Sequence, residues 1–245
     1  MQKLKVAILS MVAIAFAFSG AFAGEQAGKI DPKVVEVLEG MDAFMGTLDR
    51  LELKALNSAD VRLPAGLMAA QATEVKIRAR RPDAFRATIV GDEQNVELYI
   101  VDGSLTVFSP ESKYWAQTEA PESVGAALDF ALEELDIDAP MSDFFKKDID
   151  EGMLADVHTA LYLGLSRIRG VECHQLALRH PEFDVQVWVS TGDTPMPQKV
   201  VITSIWEGGS PRFDSLLNWN VSPTFADETF DFTAPEGSMK IEFQR

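Results

Sequence analysis

The stretch TEVKIRARRPDAFRATIV, residues 73–90, decides the fold that the sequence predicts. Residues 73–80 alternate between uncharged and charged side chains, which is the pattern of a strand with one face in water. Pro82 and Asp83 then supply a turn, and a second strand pattern begins at Phe85. Two strand patterns joined by a short turn indicate the start of an antiparallel sheet.

Strand patterns continue along most of the chain. Asp102 and Gly103 form a hairpin signal between the next two strands, so the first four strands read as an antiparallel meander. The further predicted strands are residues 96–101, 105–108, 157–165, 173–179, 185–190, 199–206 and 213–220. Ten or eleven strands at nearly regular spacing predict one large, strongly curved sheet or barrel in a single domain, residues 24–245.

Helical patterns precede and interrupt the strands. Residues 32–48 carry apolar side chains at the three-four spacing of one helix face, and Asp31 before Pro32 is a good N-cap. Two further helical pieces, residues 123–135 and 141–147, interrupt the strand-rich chain. We name residues 121–147 the cover, because such an insertion commonly lies over one face of a sheet.

The N-terminus predicts export from the cytoplasm. Lys3 and Lys5 precede an apolar run of about 13 residues, and residues 21–23 read Ala-Phe-Ala, so residues 1–23 match a cleavable signal peptide. The apolar run is shorter than the roughly 20 residues that a membrane-spanning helix needs. Gly24 stands where a lipoprotein would carry its acylated cysteine. We therefore expect a periplasmic protein with neither a membrane anchor nor a lipid anchor.

The charge argues against nucleic acid as a partner. The net charge is −16, and the signal peptide carries two of the 22 basic and none of the 38 acidic residues, so the mature chain carries −18. A field of this sign repels phosphate backbones and anionic lipid surfaces. The simpler interpretation of the same charge is a surface that keeps the protein soluble.

No local motif predicts catalysis, a metal site or a cofactor. A single cysteine, Cys173, allows no internal disulfide, and packing is its simplest role, with reactivity or pairing between chains as the alternatives. Besides His158, the sequence has His174 and His180, which lie about 20 Å apart along one strand at ~3.3 Å per residue and cannot share one ion. Residues 164–168 lack the second glycine of a nucleophile elbow. An enzyme built from strand residues that converge in space remains the alternative.

Several segments resemble a known family in their order and spacing. The segments RPDAFR at residues 81–86, YIVDG at 99–103 and FSP at 108–110 resemble the signature of the periplasmic lipoprotein carriers of the LolA family. The segment FDFTAPEG at residues 230–237 resembles the ending of the same proteins. Over residues 31–243 the chain is similar to the predicted periplasmic proteins of domain of unknown function 2092, a group that resembles the LolA/LolB superfamily.

The resemblance implies a mainly β (α+β) fold, an unclosed antiparallel half-barrel of about eleven strands. Helices would cover its concave face, where these carriers hold acyl chains. Arg81 takes the place of the arginine that helps to hold the helical lid in LolA, and its five donors suit such a latch. The alternative is an arginine that packs on the turn with its head in water. The chain departs from the carriers in extra residues around 56–70 and in the cover.

The predicted function is the non-enzymatic binding or carrying of a hydrophobic ligand, such as a lipid or the acyl chains of a lipoprotein. The alternative is a protein-interaction or stress-sensor module that binds another envelope protein. Aromatic side chains either form an ordinary core or line a cavity between the sheet and the helices. The residues predicted for this cavity and its lid are Arg81, Phe85, Leu98, Ile100, Phe108, Trp115, Phe130, Phe144, Trp188, Trp206 and Trp219.

Overall fold

The computed structural model describes residues 28–92, 95–137, 139, 141–146, 149–206 and 209–243. The predicted signal peptide, residues 1–23, lies outside the described residues. In chain order the elements are α1 (Pro32–Gly46), β1 (Arg50–Arg62), β2 (Met68–Arg80), β3 (Ala84–Gly91), β4 (Asn95–Val101), β5 (Ser104–Ser109), β6 (Tyr114–Glu119), α2 (Val124–Leu135), a 3-10 turn (Ser142–Phe145), α3 (Ile149–Leu154), β7 (Thr159–Ile168), β8 (Val171–Arg179), β9 (Phe183–Ser190), β10 (Pro197–Ser204), β11 (Arg212–Asn220) and β12 (Met239–Lys240).

The described strands form one unclosed sheet. Its order is β12-β6-β5-β4-β3-β2-β1-β11-β10-β9-β8-β7. Neighbouring strands are antiparallel except for β12, which pairs in parallel with β6. The pairing of β1 with β11 joins the two halves of the chain. The predicted unclosed antiparallel sheet is therefore confirmed, with twelve strands in place of about eleven.

One face of the sheet, the inner face, is apolar and packs against the helices. Alternate residues of the central strands point to the inner face. Leu53 of β1 and Ile77 of β2, for example, lie opposite each other on this face. Both side chains are fully buried in the same core cluster as Leu38 and Met41 of α1. Asp31 caps α1 as predicted, since its carboxylate accepts the Lys33 amide at 2.9 Å. No helix among the described residues is long and apolar enough to cross a membrane.

The opposite face, the outer face, is covered in part by the C-terminal strap, residues 221–243. The Phe232 ring of the strap lies 5.4 Å from the Tyr99 ring, 5.7 Å from Phe108 and 5.3 Å from Trp115, measured between centroids. The strap then adds β12 to the edge strand β6. The FDFTAPEG segment therefore packs on the outer face of the sheet and not in the space under the helices.

The sequence patterns missed three strands, β1, β6 and the two-residue β12, and misassigned one helix. The end of β1 carries small and polar residues such as Asn57 and Ala59 on the inner face, and β6 (Tyr114–Glu119) lacks an apolar row on either face. The predicted helix at residues 141–147 is a single 3-10 turn, Ser142–Phe145, and a separate short α3 follows. Apolar periodicity fails in these segments because their burial is decided by distant strands.

We expect Phe232→Ala to release the strap from the outer face. Loss of a half-buried phenyl ring should lower the free energy of unfolding by about 2 kcal/mol, and amide exchange should rise in residues 230–243. Denaturant unfolding and hydrogen exchange measure both effects. Trp206→Ala is the matched control, because Trp206 is 67% exposed and should change stability by less than about 0.5 kcal/mol. Equal effects of the two variants would contradict the assignment of Phe232 as the residue that anchors the strap to the outer face.

Candidate functional site

Aromatic rings join the cover to the inner face of the sheet. Phe145 lies edge-on against Phe85 at 5.6 Å, and Phe144 lies edge-on against Trp219 at 5.9 Å. Phe85 comes from β3 and Trp219 from β11, so the 3-10 turn bridges the two halves of the sheet. In this arrangement the space between the sheet and the helices is a packed apolar core.

Other predicted residues also face this core. Leu98 and Ile100 of β4 are 1% and 0% exposed, and both belong to the core cluster. Phe130 of α2 is partly buried and packs against the same cluster. The sequence prediction therefore located the apolar interior on β3, β4, β11 and the cover.

Arg81 connects the elements that surround this interior. Its guanidinium donates to the main-chain oxygen of Met45, in α1, at 2.7 Å and to that of Phe144, in the 3-10 turn, at 3.2 Å. Burial lowers the pKa of Arg81, and the charge of Asp42 opposes this shift. The guanidinium thus lies between α1 and the cover, at the end of β2, and holds a main-chain oxygen of each.

Further polar contacts act at the same end of the sheet. The amide of Val124, the first residue of α2, donates to the carbonyl of Pro82 at 2.8 Å. Within the cover, the Lys146 ammonium lies 2.9 Å from a carboxylate oxygen of Asp129 and 2.9 Å from one of Asp143. The cover is therefore tied together internally, while it meets the sheet mainly through apolar side chains.

Four predicted residues lie away from the interior. Phe108 and Trp115 contact the C-terminal strap on the outer face. Trp188 faces outward because its neighbours Val187 and Val189 fill the core, and it lies 5.6 Å from the Lys199 ammonium. Trp206 follows β10 and is largely exposed. The predicted position of these four residues under the helices is wrong, because strand alternation assigns two faces without saying which one the helices cover.

The sequence patterns did not reveal a pocket beside Arg81. The pocket has a volume of about 700 Å³ and lies where α1 ends and β1 begins. Its lining residues are Thr47, Leu48, Asp49, Arg50, Arg80, Arg81, Val221, Ser222 and Pro223. The only sequence signal for it was the pair of arginines before Pro82, since its walls come from three distant segments. We name it the arginine pocket.

The histidines and the cysteine form no catalytic cluster within the described residues. The Tyr162 hydroxyl lies 3.0 Å from Nδ1 of His174, and the His180 ring stacks on Phe183 at 4.5 Å. Cys173 is buried, as the packing interpretation requires, and burial raises the pKa of its thiol. In the part of the chain that the structure describes, no group of three His, Cys, Asp or Glu side chains could hold a metal ion.

The chain is similar to one protein family in its sequence and to a solved structure in its fold. The family described as "Predicted periplasmic protein (DUF2092)" matches residues 34–244. No curated protein sequence matches the chain. Among solved structures, an uncharacterized conserved protein from Thermus thermophilus has a TM-score of 0.50 at 9% identity, over 86% of this chain and 99% of its own.

Two further solved structures are more distant in shape. The Mycobacterium tuberculosis lipoprotein LppX is 13% identical, with a TM-score of 0.49 over 80% of this chain and 100% of its own. A LolA superfamily protein from Nitrosomonas europaea is 12% identical, with a TM-score of 0.37 over 80% of this chain and 96% of its own. At these identities the similarity concerns the fold alone.

Replacement of Arg81 should loosen the cover. We expect Arg81→Leu to raise amide exchange in residues 121–147, because the main-chain oxygens of Met45 and Phe144 lose a shared donor. Hydrogen exchange with mass spectrometry measures this, and Arg169→Leu, in the exposed β7–β8 turn, is the control. Unchanged exchange in the cover would count against a latch.

The histidines should make stability depend on pH. Burial lowers the pKa of His174 and of His180 in the folded chain, so below about pH 6.5 the unfolded chain binds protons that the folded chain does not. Stability should therefore be full above about pH 6.5 and fall as the pH drops to about 5.5. Denaturant unfolding at both values measures this. The double variant His174→Gln/His180→Gln should reduce the difference in the free energy of unfolding between the two pH values. If the variant leaves this difference unaltered, the two histidines are not its cause.

Proposed function

We propose that this chain, which belongs to the family of predicted periplasmic proteins DUF2092, binds a hydrophobic ligand between the inner face of its sheet and its helices. The ligand class is a lipid or the acyl chains of a lipoprotein, and the role is that of a non-enzymatic binding or carrier protein. The observation that carries the proposal is a large apolar interior whose cover is joined to the sheet mainly by side-chain packing.

The energies of the exchange are of similar size. Ten buried methylene groups of an acyl chain contribute about 8 kcal/mol at ~0.8 kcal/mol each. The two hydrogen bonds from Arg81 contribute about 1.5 to 3 kcal/mol each, since the donor is charged, and the burial of Phe144 and Phe145 contributes about 1.5 to 3 kcal/mol for each ring. An acyl chain that takes the place of these two rings therefore offsets contacts of comparable total energy.

The proposed path to the interior is movement of the cover. α2 and the 3-10 turn are one chain segment, stiffened by Lys146 and its two carboxylate partners. If the bonds from Arg81 to Phe144 and from Val124 to Pro82 open, this segment can separate from β3 and β11 as a unit. Trp219 and Phe85 would then face the ligand.

Export supports the same role. The predicted signal peptide at residues 1–23 and the family description agree on the periplasm. A location in the periplasm suits a carrier that moves acyl chains between membranes.

Quenching of tryptophan fluorescence tests the proposal directly. The chain has four tryptophans, and Trp219 alone among them belongs to the inner-face packing of the described residues. In the variant Trp115→Phe/Trp188→Phe/Trp206→Phe, a brominated fatty acid should quench most of the remaining emission, because bromine quenches only at short range.

The matched control is Trp219→Phe, whose three tryptophans lie on the outer face or in a loop and should be quenched little. Native mass spectrometry of the purified protein and lipid analysis of its organic extract should also find a bound lipid. Equal quenching in both variants, or a protein without lipid that ignores fatty-acid probes, would overturn the proposal.

A further inference from the structure

The arginine pocket gathers positive charge in a strongly acidic chain. Three arginines and one carboxylate, that of Asp49, line it, whereas the chain as a whole carries 22 basic and 38 acidic residues. Arg50 is the first residue of β1. Arg80 is the last residue of β2, and Arg81 comes directly after it. The three residues thus line one pocket where the ends of two central strands come close to the end of α1.

The strand register places two of these charges against each other. Arg50 lies directly opposite Arg80 in the β1–β2 pair, and like charges in that relation destabilise a sheet. Arg80 has a carboxylate partner, Asp83, at 2.8 Å. Within the described part of the chain, the Arg50 side chain makes no ion pair or hydrogen bond. An anion beside Arg50 would give its guanidinium the kind of partner that Arg80 already has in Asp83.

Part of the pocket lining is apolar and borders the interior. Leu48 and Val221 line the pocket and also pack against the core cluster. Pro223, another lining residue, is buried. The pocket lining therefore combines arginines with apolar side chains that adjoin the space proposed for acyl chains.

We infer that the arginine pocket binds the anionic head group, a phosphate or a carboxylate, of an amphiphile whose acyl chain lies in the interior. The inference rests on the proposed function and narrows it to anionic lipids. The Arg50 guanidinium suits such a group because it can donate two parallel hydrogen bonds to phosphate or carboxylate oxygens. The volume of about 700 Å³ falls in the range of about 300 to 1,000 Å³ typical of small-molecule sites.

The three arginines have different parts in this site. Arg81 is committed to the carbonyls of Met45 and Phe144, so it contributes charge to the pocket wall. Arg50 is exposed and free to turn toward an anion, and Arg80 lies across the strand pair from it. Arg50 is therefore the residue whose replacement changes the site with the least effect on the fold.

Calorimetry with two lipids of the same acyl chain tests the inference. Lysophosphatidylglycerol carries an anionic head group and monoacylglycerol an uncharged one, and both are used below their critical micelle concentrations. We expect the full mature chain to bind the anionic lipid at least about tenfold more tightly, which corresponds to ~1.4 kcal/mol. Arg50→Gln should remove most of this preference and leave monoacylglycerol binding unchanged.

Arg169→Gln is the matched control, because Arg169 is an exposed arginine in the turn after β7, five strands from β1, and should not alter the preference. Equal binding of both lipids by the wild-type protein would overturn the head-group assignment and leave the proposed function standing. Absence of binding by either lipid would overturn the proposed function itself. Inorganic phosphate is the third probe: binding that depends on Arg50 without a lipid preference would make the pocket a site for free anions and contradict the inference.

Discussion

An unclosed sheet with an apolar inner face has to bury that face against helices, because no second sheet is present among the described strands to do so. The rest of the architecture depends on this burial. α1 lies across the inner face, and the cover completes the enclosure through Phe144 and Phe145, which meet Trp219 and Phe85. On the sheet side, the interior is therefore enclosed by a continuous ladder of main-chain hydrogen bonds. On the helix side it is enclosed mainly by side-chain packing, which is easier to separate.

Both faces of the sheet are covered, but by different means. The outer face binds the C-terminal strap, whose Phe232 inserts among Tyr99, Phe108 and Trp115 and whose last strand adds to β6. This strap has strand hydrogen bonds as well as ring contacts, whereas the cover has few main-chain ties to the sheet. A ligand that competes for apolar surface would thus displace the cover before the strap.

The polar groups that matter most lie at one end of the two central strands, β1 and β2. There Arg81 holds α1 and the cover by their carbonyls, and the arginine pocket lies beside it with Arg50 and Arg80 in its lining. A guanidinium that satisfies carbonyls in a half-buried place is hard to replace by water, so Arg81 orders the helices. This end of the two strands is also the point at which the apolar interior comes nearest to positive charge.

The sequence by itself determined the local patterns: the alternation of residues 73–80, the Asp31 cap of α1 and the apolar side of α2. It also placed Phe85, Leu98 and Ile100 in the interior, as part of a core or of a cavity, since each lies in a strand segment rich in apolar residues. Only the tertiary structure decided which face the helices cover, and so separated Trp219 from Trp188. The reason is physical: alternation in a strand assigns side chains to two faces, but the choice between them is made by distant segments, the cover on one side and the strap on the other.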